Sequence, residues 1–202
     1  MFTGIVKQTS PVVTVDRREN AMSFVLDLGP YAAGLQIGAS VAVSGVCLTV
    51  TALDEGRASF DVMGETLVKT SLGELQPGSL VNVERSATVG AEIGGHDVSG
   101  HVTGKGVVTK IEQPTNNYIV TIGMNPEWMD YVFPKGFIAV DGCSLTIVDV
   151  GPDWFTVHLI PETLHRTTFS TKSVGDPVNI EIDSRTQAIV NTMKEYLKKH
   201  AL

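Results

Sequence analysis

Apolar and polar residues alternate in short bursts along most of this chain. Val12-Val13-Thr14-Val15, Ser23-Phe24-Val25-Leu26, Val41-Ala42-Val43, Leu48-Thr49-Val50-Thr51, Ser59-Phe60-Asp61-Val62 and Leu80-Val81-Asn82-Val83-Glu84 are short and rich in β-branched side chains. Turn signals separate them, among them Leu53-Asp54-Glu55-Gly56 and Gln76-Pro77-Gly78. Such runs between such punctuation predict strands. A second series comes after them: Val107-Val108-Thr109, Tyr118-Ile119-Val120-Thr121, Phe137-Ile138-Ala139-Val140, Leu145-Thr146-Ile147-Val148, Phe155-Thr156-Val157 and Val178-Asn179-Ile180-Glu181, with a turn at Gly151-Pro152-Asp153. The stretches after Pro30 and Pro126 read as one or two helical turns, because proline suits the first helical position.

The last segment changes period. Ile189, Val190, Met193, Tyr196 and Leu197 recur at helical spacing, which predicts a helix over 186–199. Its apolar stripe needs cover. Either its own barrels or the same helix of another copy can supply it, and the pattern leaves both open.

The two strand series are copies. Val81-Asn82-Val83-Glu84 matches Val178-Asn179-Ile180-Glu181, Glu65-Thr66-Leu67 matches Glu162-Thr163-Leu164, and Gly78 matches Gly175, all 97 positions apart. Pro30 pairs with Pro126, and Gly4-Ile5-Val6 with Gly100-His101-Val102, at 96. A period this long means duplication of a whole domain rather than a solenoid. About six short strands in roughly 90 residues fit a small antiparallel barrel or sandwich, and closure leaves no long edge exposed. The copies meet near Ala91-Glu92-Ile93-Gly94-Gly95.

Composition narrows the function classes. Hydrophobic residues make up 43% of the 202, which is enough for real cores. A formal charge of −7 with no Lys/Arg cluster argues against nucleic acid and an anionic membrane as partners. No apolar run reaches the roughly 20 residues of a membrane span, and the opening MFTGIVKQTSPVV does not read as a secretory signal. Two cysteines are no disulfide framework, so reduced thiols and a cytoplasmic location are expected. No Cys/His spacing suggests a metal.

The chemistry concentrates in one repeated stretch. Ser44-Gly45-Val46-Cys47-Leu48-Thr49-Val50 aligns with Asp141-Gly142-Cys143-Ser144-Leu145-Thr146-Ile147, so Cys47 falls on Ser144 and Ser44 on Asp141. A lone cysteine is often a buried structural residue. A polar SH or OH group at both equivalent points favours function instead. Asp-Gly favours a tight turn, and no G-x-S-x-G elbow is present, which argues against a hydrolase triad. Asp141 is expected to orient or activate a bound substrate or water. His96 and His101 are ordinary loop and strand polar groups or candidate proton carriers, since histidine titrates near neutrality. The paired Glu-Thr-Leu segments read as caps or turns, or as a polar rim for a planar heterocycle. Asp183 reads as the N-cap of the last helix.

Six motifs in order carry a resemblance: Met1-Phe2-Thr3-Gly4-Ile5-Val6, Gly45-Val46-Cys47-Leu48-Thr49-Val50, Gly94-Gly95-His96, Gly100-His101-Val102, Asp141-Gly142-Cys143-Ser144-Leu145-Thr146 and Pro161-Glu162-Thr163-Leu164. Over essentially its whole length the chain resembles the riboflavin synthase family of the α-chain type, the lumazine-binding barrels. The resemblance implies an all-β fold of two tandem six-stranded Greek-key barrels plus a C-terminal helix. The expected division is 1–94, 95–184 and 185–202. It implies a homotrimer joined through the helices, with one barrel facing the other barrel of a neighbouring subunit. It also implies a reaction in which two 6,7-dimethyl-8-ribityllumazine molecules exchange a four-carbon unit, giving riboflavin and 5-amino-6-ribitylaminouracil. No cofactor is consumed, and lumazine synthase is a candidate partner.

The resemblance places functional groups at Cys47, Ser144, Asp141, Asp183 and Phe2, and His101 joins them as a candidate proton carrier. Substrate contacts are expected in matched stretches: Gly4, Ile5 and Val6 with Gly100, His101 and Val102; Cys47, Leu48 and Thr49 with Ser144, Leu145 and Thr146. Further contacts are expected at Asp61, Val62, Met63, Gly64, Glu65 and Thr66 in the first copy and at Leu159, Ile160, Pro161, Glu162, Thr163 and Leu164 in the second, and Lys135 stands by itself. Ser44, Gly64 and Thr103 depart from residues common in the family. The competing expectation is a non-catalytic lumazine- or flavin-binding antenna protein of the same fold. Such relatives have one half's site eroded, whereas this chain keeps the motifs in both.

Overall fold

A computed structural model describes residues 1–200. Six antiparallel strands form the first barrel: Gln8–Arg18 (β1), Ala21–Asp27 (β2), Ser40–Val43 (β3), Val46–Asp54 (β4), Arg57–Met63 (β5) and Leu80–Arg85 (β6). They close in the order β1-β2-β5-β4-β3-β6. The second barrel has Gly104–Glu112 (β7), Ile119–Gly123 (β8), Phe137–Val140 (β9), Cys143–Val150 (β10), Trp154–His158 (β11) and Pro177–Ile182 (β12). Its circular order repeats that of the first. Every strand expected from the alternation is present, mostly longer than its apolar run.

Two short helices, Gly64–Lys69 (α1) and Pro161–Arg166 (α2), stand where the sequence suggested only caps or turns. Six residues are too few to display a helical period. The turns after Pro30 and Pro126 are 3-10 helices over Gly29–Ala32 and Pro126–Tyr131.

Each barrel fills its own interior. Phe24 and Phe60 stack at 5.5 Å between ring centres in the first, with Leu26, Val41 and Val43 around them. Ile122, Ile138, Ile147, Phe155 and Phe169 fill the second. The β3–β4 and β9–β10 hairpins turn on Ser44-Gly45 and Asp141-Gly142, with positive φ at all four residues. Two consecutive positive φ values define the tight turn that matches strand twist.

The barrels are joined about a local two-fold seam. Asn82 Nδ2 donates to the Asp141 carbonyl at 2.9 Å, and Asn179 Nδ2 to the Ser44 carbonyl at 2.7 Å. Phe2 and Val98 pair as a β-bridge and pack with Ala42 and Ala139 between the barrels. The N-terminal segment crosses over so that Val6 enters the second barrel's core, while Val102 packs against the first.

The last helix, Ser184–His200 (α3), buries no residue. Ala201 and Leu202 of the expected helical segment lie outside the described residues. Lys194 pairs with Asp130 at 2.6 Å and the Tyr131 hydroxyl donates to Asn191 at 2.7 Å. The apolar stripe faces away, with Ile189, Met193, Tyr196 and Leu197 all more than half exposed. Within one chain, then, the barrels do not cover it.

Candidate active site

Two pockets share one construction. The first is lined by Val46, Cys47, Glu65, Thr66, Lys69, Thr70, Gly100, His101 and Val102. The second is lined by Cys143, Ser144, Glu162, Thr163, Arg166, Thr167, Gly4, Ile5 and Val6, with Ile160 at its rim. Position by position these are the same places in the two copies. Each pocket takes one wall from a strand start, one from a short helix and one from the crossing segment of the other repeat.

Backbone bonds weld that third wall on. The Cys47 N–H donates to the Gly100 carbonyl at 2.9 Å, and the Ser144 N–H to the Gly4 carbonyl at 2.7 Å. Gly4 and Gly100 have φ of +71° and +83°. A Cβ on Gly4 would sit 2.6 Å from that of Ser144, and one on Gly100 2.4 Å from that of Cys47. Only glycine has room and conformation for both demands. On the helix wall Lys69 pairs with Glu65 at 2.7 Å, and Arg166 with Glu162. Hydrogen bonds from these cations hold both carboxyls below their ordinary range.

The pockets differ in their polar groups. Ser144 Oγ lies 2.7 Å from Nδ1 of His96, whose ring stacks on Phe137. Burial pulls the His96 pKa down, against the pull of Asp183, Glu181 and Asp97, so the ring favours its neutral form. Its Nε2 is buried and has no hydrogen-bond partner among the described residues. A catalytic triad would need an acid there, so Ser144 and His96 do not make a hydrolase centre. In the first pocket Cys47 is half-buried beside an exposed His101, and His101 occupies the place Ile5 holds in the second.

Several expected site residues stand elsewhere. Asp141 is 1% exposed and lines neither pocket. It accepts from the Asn179 N–H at 2.8 Å and pairs with Lys172 at 3.1 Å. Burial raises its pKa and Lys172 opposes the rise. Its counterpart Ser44 makes the same backbone bond, to Asn82, at 3.3 Å. The Ser/Asp difference therefore belongs to the barrel seam, where a buried charge needs a buried partner. Phe2 is 1% exposed and reaches the second pocket only through Thr3 and Gly4. Asp183 caps α3, accepting from the Thr186 N–H and hydroxyl at 2.8 and 2.7 Å. Burial works to raise its pKa, and the Thr186 bonds and His96 together bring it below the ordinary value.

Leu48, Leu145 and Val62 are core residues. Thr49, Thr146, Asp61, Met63 and Lys135 are exposed outside both pockets, and Gly64 opens α1. Leu159, Pro161 and Leu164 line a neighbouring cavity instead. A larger cavity, about 540 Å³ on the outer wall of the second barrel beside Trp154, contains none of the repeated polar pairs. Among residues not expected, Lys69 and Arg166 were accessible through the repeat offset. The His96–Ser144 pair was not, because it joins two distant segments.

Residues 3–86 and 99–183 match the lumazine binding domain family. The riboflavin synthase of Escherichia coli (strain K12) is 48% identical over 199 residues, covering 98% of this chain and 93% of that protein. The riboflavin synthase of Bacillus subtilis (strain 168) is 40% identical over 183 residues, covering 91% and 85%. The fold matches a solved structure of LumP complexed with riboflavin, with a TM-score of 0.84 at 21% identity, covering 90% of this chain and 99% of that one. Two copies of one barrel, two matched pockets and this likeness along the whole length make the chain a member of the riboflavin synthase family.

Proposed function

We propose that each pocket binds one 6,7-dimethyl-8-ribityllumazine and that the two molecules dismutate by transfer of a four-carbon unit. The observation that carries this reading is the pairing of two pockets of one construction with different polar groups. A dismutation needs a donor and an acceptor from identical molecules. One must lose a proton from its C7 methyl group, and the other must be open to attack at C7. Cys47 in one pocket and Ser144 with His96 in the other polarise the two differently. The products together contain all atoms of the two substrates, so the exchange is redox-neutral.

The pockets of a single chain are half-sites. They enclose about 280 and 170 Å³, less than the roughly 300–1,000 Å³ of a complete small-molecule site. A facing pocket from another copy completes each, and a homotrimer seated on the uncovered stripe of α3 supplies it. Holding two rings face to face can contribute roughly 7–11 kcal/mol to the rate. In this reading the units are 1–94 and 95–184, apart from the crossing segments, with 185–202 for assembly. Cys47, Ser144 and His101 touch substrate and His96 acts through Ser144, while Phe2, Asp141 and Asp183 hold the frame. Two unpaired cysteines suit the reducing cytoplasm, where lumazine synthase is a natural partner as supplier of the substrate.

Incubation with 6,7-dimethyl-8-ribityllumazine, followed by absorbance, tests the reading. Riboflavin should form at half the rate of lumazine loss. Stable binding without product would favour the antenna protein instead.

A further inference from the structure

The crossing segments that close the pockets are themselves held by two buried carboxylates. Glu84 stands near the end of β6 in the first barrel and Glu181 near the end of β12 in the second, 97 positions apart and 4% and 5% exposed. Glu84 Oε1 accepts from both the N–H and the hydroxyl of Thr3, each at 2.7 Å. Glu181 Oε1 accepts from the N–H and hydroxyl of Ser99 at 2.7 and 2.8 Å, and its Oε2 from the Gly100 N–H at 2.9 Å. The two hydroxyls also accept from the N–H groups of Ile5 and His101, two residues on. Each carboxylate with its hydroxyl partner thus fixes a short turn of chain at three or more points.

Both turns run directly into a pocket wall. Thr3 leads into Gly4, whose carbonyl takes the Ser144 N–H; Ser99 leads into Gly100, whose carbonyl takes the Cys47 N–H. The connections cross, since the first barrel's carboxylate sets the wall of the second barrel's pocket and the reverse. A buried carboxylate is costly unless its hydrogen bonds are met. Burial pushes the Glu84 pKa up, and the Thr3 bonds oppose it.

We propose that Glu84 and Glu181 are positioning residues, each clamping the crossing segment that walls the opposite barrel's pocket. This rests on the reading of the two pockets as ligand sites. The test is the rate of alkylation of the two thiols in the full-length protein, resolved by peptide mass spectrometry. Cys47 lies under Gly100, and Cys143, next to Ser144, lines the base of the second pocket that Gly4 walls.

Glu181→Ala is expected to speed Cys47 labelling about tenfold with Cys143 unchanged, and Glu84→Ala to do the reverse, as befits local opening after loss of charged hydrogen bonds. Glu→Gln, which keeps an acceptor oxygen, should restore most of the protection. Where an alanine variant does not fold, Ser99→Ala and Thr3→Val remove half of each clamp and should show the same selectivity at smaller amplitude. Equal acceleration at both thiols, or none at either, overturns the clamp. Titration with riboflavin separates the two readings. Each Glu→Ala variant should weaken one class of site only. Wild-type protein that binds no riboflavin would sink the proposed function, while the labelling pattern still decides whether the carboxylates hold the crossing segments.

Discussion

The hydroxyl of Ser144 stands 2.7 Å from Nδ1 of His96, two residues 48 positions apart in the chain. The histidine is 8% exposed and favours its neutral form. The pair gives the second pocket a polarised hydroxyl at the point where the first presents a thiol.

A pH signature arises from that burial. The folded His96 pKa lies below its ordinary 6.5. The unfolded chain therefore takes up a proton first as the pH drops. Stability should fall as pH decreases below 6.5 and stop falling from this source once the folded value is passed. Denaturant unfolding at a series of pH values checks this. His96→Gln should flatten that part of the curve, and an unchanged slope would assign it to other groups.

The Asp141–Lys172 pair tests a residue role. In the first barrel the same two places hold Ser44 and Leu75. Asp141→Ala should cost about 3 kcal/mol by leaving the partly buried Lys172 ammonium without its carboxylate and the buried Asn179 N–H without its acceptor. The double change Asp141→Ser with Lys172→Leu copies the first barrel and should regain most of that. It should also keep turnover within a few-fold of wild type. A folded double variant without activity would return Asp141 to the catalytic set.

The two cysteines should behave differently. Burial, with help from Asp141 and Glu84, pushes the Cys143 thiol up to about 12, so it stays protonated at neutral pH. Cys47 is more exposed and opens into the first pocket. Cys47→Ala should lower turnover far more than Cys143→Ala, measured as riboflavin formed per chain. Equal losses would mean that the polar position has been matched wrongly between the copies.

In the proposed assembly the copies join on the stripe of α3. Met193→Glu or Leu197→Glu places a carboxylate on an apolar face that one chain leaves uncovered. The solution mass should fall towards that of the monomer, and turnover with it. A variant of unchanged mass would show that the stripe is not the seam.

The barrels were readable in the sequence because alternation, turn residues and the duplication all pointed the same way. Asp141-Gly142 announced its turn. The helices α1 and α2 were hidden by their length, although the repeat offset relates Lys69 to Arg166. Asp141 carries two readings because chemistry and seam electrostatics can require the same side chain at a turn. His96 and the carboxylates Glu84 and Glu181 act across segments far apart in the chain, and no local pattern records such contacts.

In the proposed assembly each working site joins one chain's first pocket to another chain's second. Gly100→Ala drives a methyl group into Cys47, and Gly4→Ala drives one into Ser144. Each should strain its wall by about 1–3 kcal/mol at a positive φ and disable one pocket only. The decisive measurement is riboflavin formation by the two variants, alone and co-expressed. Either variant alone should be nearly inactive, and the mixture should recover a substantial fraction of wild-type turnover, because some interfaces then join two intact pockets. A mixture no more active than the average of its components would contradict the shared site.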